Sequence, residues 1–146
     1  MKHLNYRLTL SLFALLLLCG AVSSLQAAEN MHRLVIQVST ADAKEQTLAL
    51  NNAVNVQKHF GLDNVEIEVV AYGPGLSLLT RQNKQSQRVA SLALQEITFS
   101  ACGNTMKKME QKTGKKPELT DGVNVVPAGV VRIMELQEQG WSYIRP

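Results

Sequence analysis

Short apolar blocks alternate with longer amphipathic blocks from Arg33 to the end of the chain. The apolar blocks are rich in β-branched residues, which is typical of strands buried on both faces. The amphipathic blocks carry apolar residues at spacings of three and four, which is typical of helices with one buried face. The pattern predicts strands at 34–38, 65–72, 97–99, 123–126 and 141–144, and helices at 43–60, 88–95, about 104–113 and 128–139.

Strands that alternate with helices of this length indicate a largely parallel sheet connected by right-handed crossovers. We therefore predict one three-layer α/β domain with a mostly parallel five-stranded sheet and helices on both faces. Glycines and a proline mark several boundaries: Gly61, Gly114 and Gly140 follow predicted helices, and Pro127 precedes one. In such sheets, ligands and chemistry gather beyond the carboxyl ends of the strands.

The first 27 residues have the pattern of a secretory signal peptide. Lys2 and Arg7 precede an apolar run, 8–18, and small residues that suit a signal peptidase follow up to Ala27. The run is too short for a membrane span, which needs about 20 apolar residues. We predict cleavage after Ala27 or Ala28, a mature domain from residue 28 to 146, and a periplasmic or secreted location. An uncleaved helix or a lipoprotein anchored at Cys19 are the alternatives.

Charge and cysteine content change after this cleavage. Two of the fifteen basic residues leave with the signal peptide, so thirteen remain against twelve acidic ones. The basic charge of the whole chain therefore comes mostly from the signal peptide, and we predict no nucleic-acid partner. No membrane association is expected after cleavage. Cys19 also leaves, so the mature chain keeps a single cysteine, Cys102, and cannot form an internal disulfide.

Cys102 lies just past the predicted third strand and just before a helix. Residues 101–105 are predicted to form a turn there, with Asn104 or Thr105 capping the helix. Backbone N–H groups and the positive end of the helix dipole favour an anion at such a position, so a thiolate or persulfide would be stabilised. A lone cysteine of this kind is otherwise a small buried hydrophobe or pairs with another chain.

Few other residues suggest chemistry. Gly73-Pro74-Gly75 predicts a tight turn that brings backbone, and a possible pocket, close to Cys102, and Asn52 on the first helix is a further pocket candidate. The spacing of these glycines does not fit a dinucleotide-binding loop. His32 and His59 have no Cys, Asp or Glu at ligand spacing, so neither a metal nor another cofactor is expected, and a Cys-His hydrolase has little support.

Three segments together resemble the DsrE/DsrF-like proteins. They are the motif around Cys102 (99–106, FSACGNTM), a valine-proline segment (126–130, VPAGV) and a closing helix-glycine-aromatic segment (135–141, ELQEQGW). The resemblance covers the chain from about Arg33 to its end. It implies a five-stranded α/β fold, trimers or hexamers, and, as in the sulfur-oxidation and tRNA-thiolation members, a cysteine that carries sulfur as a persulfide.

Carried over to this sequence, the persulfide role falls on Cys102 alone, with Gly103, Asn104 and Thr105 in support. The expectation is a sulfur carrier that takes sulfane sulfur from an unknown donor and yields it to an unknown acceptor, rather than an enzyme with turnover. This reading needs a thiol that is open to solvent at the start of the helix. The alternative is a non-catalytic oligomeric module that binds a ligand or partner, with Cys102 buried and structural.

Overall fold

A computed structural model describes residues 31–146, so the predicted signal peptide lies outside the described residues. Within them, strands and helices alternate in the predicted order. The strands are β1 (His32–Val38), β2 (Val65–Ala71), β3 (Ile97–Cys102), β4 (Val123–Val126) and β5 (Ser142–Ile144). The helices are α1 (Ala43–Phe60), α2 (Ser86–Ala93), α3 (Gly103–Thr113) and α4 (Gly129–Glu138), with short 3-10 helices at Leu62–Asn64 and Gly73–Leu79.

The five strands form one sheet in the order β4-β3-β2-β1-β5, and every neighbouring pair is parallel. The predicted fold class is therefore confirmed, and the sheet is parallel throughout. His32 pairs with Val65 at the amino edge of the sheet, whereas Cys102 pairs with Val126 at the carboxyl edge. The chain thus places its single described cysteine at the edge where ligands bind in parallel sheets.

Alternation along the strands separates two hydrophobic cores. Ile36, Val69 and Phe99 point to the larger core, which α1, α2 and α3 cover. Val35 and Val70 point the other way and pack under α4. Both cores are needed because a parallel strand is buried on both faces, which explains the nearly continuous apolar runs in the sequence.

A buried polar cluster lies under α4. The carboxylate of Glu68 on β2 is only 2 % exposed and accepts from Arg132 through Nε at 2.9 Å and Nη2 at 2.7 Å. Ser100 Oγ on β3 donates to the same carboxylate at 2.6 Å. Hydrogen bonds to Glu68 raise the pKa of Arg132. This bidentate pair ties α4 to the centre of the sheet.

Several boundaries differ from the prediction. β3 continues to Cys102 instead of ending at Phe99, because Ser100, a polar residue, is buried against Glu68. The segment after β2 forms a 3-10 helix, Gly73–Leu79, and α2 begins at Ser86 rather than Arg88. Asp42 caps the start of α1, since its carboxylate accepts from the N–H groups of Lys44 and Glu45.

Among the helices of residues 31–146, none is both long enough and apolar enough to cross a bilayer.

Candidate functional site

Cys102 is the last residue of β3 and also the N-cap residue of α3. The strand enters the helix without the predicted turn at 101–105, and Asn104 and Thr105 lie inside the first helical turn instead of capping it. Gly103 allows this tight passage, because a Cβ there would lie 3.2 Å from the carbonyl oxygen of Val126. The sulfur is therefore held where a strand end and a helix start coincide.

The start of a second helix, α4, lies beside Cys102. Gly129, the first residue of α4, is buried, and a Cβ on it would lie 3.3 Å from the Cβ of Cys102 and 3.1 Å from the Cβ of Tyr72. Glycine at this position lets the start of α4 approach the cysteine. The N–H groups of a first helical turn have no partner within their own helix, so the Thr105 N–H of α3 and the Gly129 N–H of α4 can both serve an anion at this sulfur.

Thr105 places a hydroxyl beside the same sulfur. Its Oγ1 accepts a hydrogen bond from the N–H of Gly73 at 2.9 Å, so its own proton remains free to be donated elsewhere. The Thr105 hydroxyl faces Cys102, where that proton favours a thiolate. Gly73, named from the sequence as a pocket residue, thereby orients the group that supports Cys102.

These groups shift the acidity of the thiol. Burial raises the pKa of Cys102, but the Thr105 hydroxyl and the N–H groups of Gly129, Thr105 and Asn104 outweigh it, so the pKa lies below its ordinary value. Asn104 contributes least, and its N–H already donates to Pro127 O at 3.2 Å. The Cys102 side chain makes no capping hydrogen bond with the first turn of α3. The donors that face the sulfur favour the ionised form of the thiol.

The exposure of Cys102 differs from the expectation. The residue is only 5 % exposed in the single chain, whereas the sequence-based reading required a thiol open to solvent. Gly129 packs against the Cβ of Cys102, Tyr72 packs against Gly129 in turn, and both come from segments distant in sequence. Its surroundings are nevertheless polar on one side, because backbone N–H groups and a hydroxyl face the sulfur.

A cavity of about 510 Å³ opens next to Thr105 at the carboxyl edge of the sheet. Gly73 lines it, as the sequence suggested, but Gly75 and Asn52 do not. Gly75 is buried against β1, where a Cβ would lie 2.2 Å from the carbonyl oxygen of Val38, so its role is close backbone packing. Asn52 lies in the middle of α1. The structure thus brings Gly73, Gly103 and Thr105 to Cys102, but leaves Asn52 apart.

The histidines are far from the sulfur. His32 begins β1 at the amino edge of the sheet and stacks on Phe60, with 3.7 Å between ring centroids, and His59 contacts the edge of the same ring. Cys102 is at the opposite edge, so no Cys-His pair forms. Among residues 31–146, no group of three or more His, Cys, Asp or Glu side chains is arranged to hold a metal ion.

Sequence reasoning did not identify Gly129 or Tyr72 as parts of the site. A signal for Gly129 was present, since Pro127 predicts a helix start directly after β4. Because β4 neighbours β3 and runs parallel to it, that helix start must lie at the same edge as Cys102. Tyr72 carries no comparable signal, because its position depends on the packing of α4.

Comparison with known proteins agrees with the fold described above. Residues 32–146 match the model of the DsrE/DsrF-like family. The solved structure of MTH1491, a protein of unknown function from Methanobacterium thermoautotrophicum, is 35 % identical, with a TM-score of 0.71 over 79 % of this chain and 99 % of that one. The ychN protein from E. coli shares the fold at 16 % identity, with a TM-score of 0.63 over 80 % and 100 % of the two chains. A search of curated proteins finds no match.

Proposed function

The chain belongs to the DsrE/DsrF-like family, and on that premise we propose that it handles sulfur, with Cys102 as the carrier atom. The family match supports a fold related to sulfur relay, and the finer role rests on one observation. The sulfur of Cys102 lies where the starts of α3 and α4 meet, and its pKa is lowered there. A thiolate is the form of cysteine that attacks sulfur.

The proposed reaction exchanges one sulfur–sulfur bond for another. The Cys102 thiolate attacks the outer, sulfane sulfur of a donor persulfide, R–S–SH. A bond forms between Sγ and that sulfur, the donor's S–S bond breaks, and R–S⁻ leaves with the electron pair, so Cys102 becomes Cys–S–SH. An acceptor thiolate then attacks the same outer sulfur and releases Cys102 as thiolate. No oxidant or reductant is consumed, because the sulfane sulfur keeps its oxidation state throughout.

The donors around Cys102 suit this cycle. The leaving group in the second step is the Cys102 thiolate, and a thiol of low pKa leaves faster. The Thr105 hydroxyl and the Gly129 N–H, which favour the thiolate, therefore support both attack and release. Thr105, within the first turn of α3, supplies a further N–H group to an anionic persulfide.

Mass spectrometry tests this proposal directly. The native protein is exposed to polysulfide or thiosulfate, digested, and the peptide containing Cys102 is weighed. We expect an added mass of one sulfur atom, removed by a reductant and lacking in Cys102→Ser. An unmodified Cys102 under conditions that load a known sulfur carrier would refute the proposal.

The 5 % exposure of Cys102 favours a second candidate function, a non-catalytic oligomeric module that binds a ligand or partner. In that case the cysteine is a structural part of the core. Titration of the thiol in the native protein separates the two functions. Fast labelling with an apparent pKa well below about 8.5, the value of a free thiol, supports the carrier, and labelling seen only after denaturation supports the module.

We also propose that the protein is exported to the periplasm and forms a trimer or hexamer. Export rests on the amino-terminal sequence pattern, and assembly on the family together with an apolar surface on α4. Val130, Val131 and Met134 are 50–55 % exposed on that helix, close to Gly129 and Cys102. Cell fractionation tests the location. Light scattering tests assembly, and we expect Met134→Lys to lower the molar mass.

A further inference from the structure

Two segments of the chain form the walls of the cavity beside Thr105. One wall comes from the segment after β2, and the other from one face of α3. Its lining residues are Tyr72, Gly73, Pro74, Ser77, Thr105, Lys108, Met109 and Lys112. At about 510 Å³, it falls within the range of about 300–1,000 Å³ that is typical of sites for small organic ligands.

The charge of the cavity is entirely positive. Lys108 and Lys112 lie one helical turn apart on α3 and both line it, while no acidic residue does. Within the described chain, neither lysine forms a salt bridge. A neighbouring cavity of about 480 Å³ is lined by Lys115, Lys116 and Glu118, and it does not reach Tyr72 or Thr105. The cavity beside Thr105 is thus the one that carries positive charge without an acidic residue and also reaches Thr105.

Two residues connect this cavity to the sulfur. Thr105 lines the cavity and also faces Cys102 with its hydroxyl. Tyr72 lines the cavity and packs against Gly129, next to the Cβ of Cys102. Cys102 itself does not line the cavity, but a ligand there contacts Thr105, which faces the sulfur, and Tyr72, which packs on Gly129.

We infer that this cavity binds the sulfur donor, and that the donor is a small organic persulfide bearing carboxylates. Its carboxylates pair with Lys108 and Lys112, its apolar part packs on Tyr72, Pro74 and Met109, and its sulfane sulfur points toward Thr105 and Cys102. An inorganic oxyanion such as thiosulfate has no apolar part that could pack on Tyr72, Pro74 and Met109. This inference rests on the proposed function of Cys102 for its final step, but not for binding.

Paired double variants test the inference. Lys108→Gln with Lys112→Gln removes both cavity charges. Lys84→Gln with Lys107→Gln removes two exposed lysines that line neither cavity and serves as the charge-matched control. One assay is the rate at which glutathione persulfide loads Cys102. A second is calorimetric binding of S-methylglutathione, which has the same carboxylates but cannot transfer sulfur. A third is alkylation by neutral iodoacetamide, which reports thiolate reactivity alone.

We expect the cavity variant to lose about tenfold in loading rate and in S-methylglutathione affinity, as befits two charge contacts of roughly 0.5–1 kcal/mol each. Its alkylation rate should stay within about twofold, and the control should match the wild type. Equal losses in both variants, or none in the cavity variant, would overturn the inference, as would loading by thiosulfate that falls as much as loading by glutathione persulfide.

The outcomes also separate this inference from the proposed function. Loading at the wild-type rate in the cavity variant would reject the cavity as donor site and leave Cys102 as carrier. Binding of S-methylglutathione that depends on Lys108 and Lys112, without loading of Cys102 by any donor, would support the cavity and reject the carrier.

Discussion

The reactivity of the candidate site depends on Thr105 more than on any other single side chain. Its hydroxyl is fixed by the Gly73 N–H at 2.9 Å and faces the sulfur, and among the groups that lower the pKa of Cys102 it contributes most. Hydrogen bonds to charged groups are worth about 1.5–3 kcal/mol, so the loss of this one affects the thiolate strongly. The residue therefore couples the loop after β2 to the chemistry of β3.

We expect Thr105→Val, which keeps the shape and removes the hydroxyl, to raise the pKa of Cys102. Alkylation by iodoacetamide at neutral pH should then be roughly tenfold slower, as judged from the energy of such a hydrogen bond. Thr105→Ser restores the donor and should retain most of the rate. If valine and serine variants react alike, the hydroxyl does not control the thiol. A pH titration of the alkylation rate measures both properties.

At the scale of elements, α4 takes its position from the pair Glu68 and Arg132. Arg132 lies one turn after Gly129, so the bidentate contact with Glu68 also sets where the Gly129 N–H stands relative to Cys102. The Glu68 carboxylate is buried, whereas Arg132 is about one-third exposed. Loss of either partner leaves the other with an uncompensated charge or hydrogen-bonding group.

We expect Arg132→Met to destabilise the fold by about 3 kcal/mol, near the lower end for breaking a buried pair, because the Glu68 carboxylate then lacks its partner. The double variant Glu68→Gln with Arg132→Met removes the stranded charge and should recover part of this loss. Urea denaturation measures the stabilities. Alkylation of Cys102 should also slow in Arg132→Met. An unchanged rate would show that α4 keeps its position without the pair.

Prediction from sequence succeeds for some features of the fold and of the site and fails for others. The order of strands and helices, the parallel sheet and the place of Cys102 before a helix follow from apolar periodicity and glycine positions. The end of β3 does not follow from the sequence, because Ser100 looks like a strand boundary until its hydrogen bond to Glu68 is known. The burial of Cys102 does not follow either, because Gly129 and Tyr72 come together beside it only in the tertiary fold.

At the scale of the whole molecule, the position of the site follows from the change of direction in the strand order after β4. The chain builds β1 to β4 in one direction and then returns past β1 to β5. A right-handed crossover that runs one way along the sheet places its helix on one face, and a crossover that runs the other way places its helix on the opposite face. Among the described helices, α4 therefore lies alone on its face, while α1 to α3 share the other. Since β3 and β4 are neighbours, the starts of α3 and α4 flank the same strand end. Cys102 occupies that strand end.

A thiol whose pKa is lower in the folded chain than in the unfolded one links stability to pH. Its stabilising contribution is complete above the unfolded pKa and is lost as the pH falls through the folded pKa. We expect the unfolding free energy of the reduced wild type, minus that of Cys102→Ser, to rise as the pH increases toward about 8.5, the pKa of a free thiol. Urea titrations from pH 6 to 9.5 measure this. A flat or falling difference would contradict it.

The meeting of α3 and α4 at one sulfur ties the acidity of the thiol to the completion of folding. In a chain whose α4 has not yet packed on the sheet, the Gly129 N–H is missing from the sulfur, and one of the groups that lower the pKa of Cys102 is lost. The lowered pKa of Cys102 therefore develops only once α4 has reached its native position.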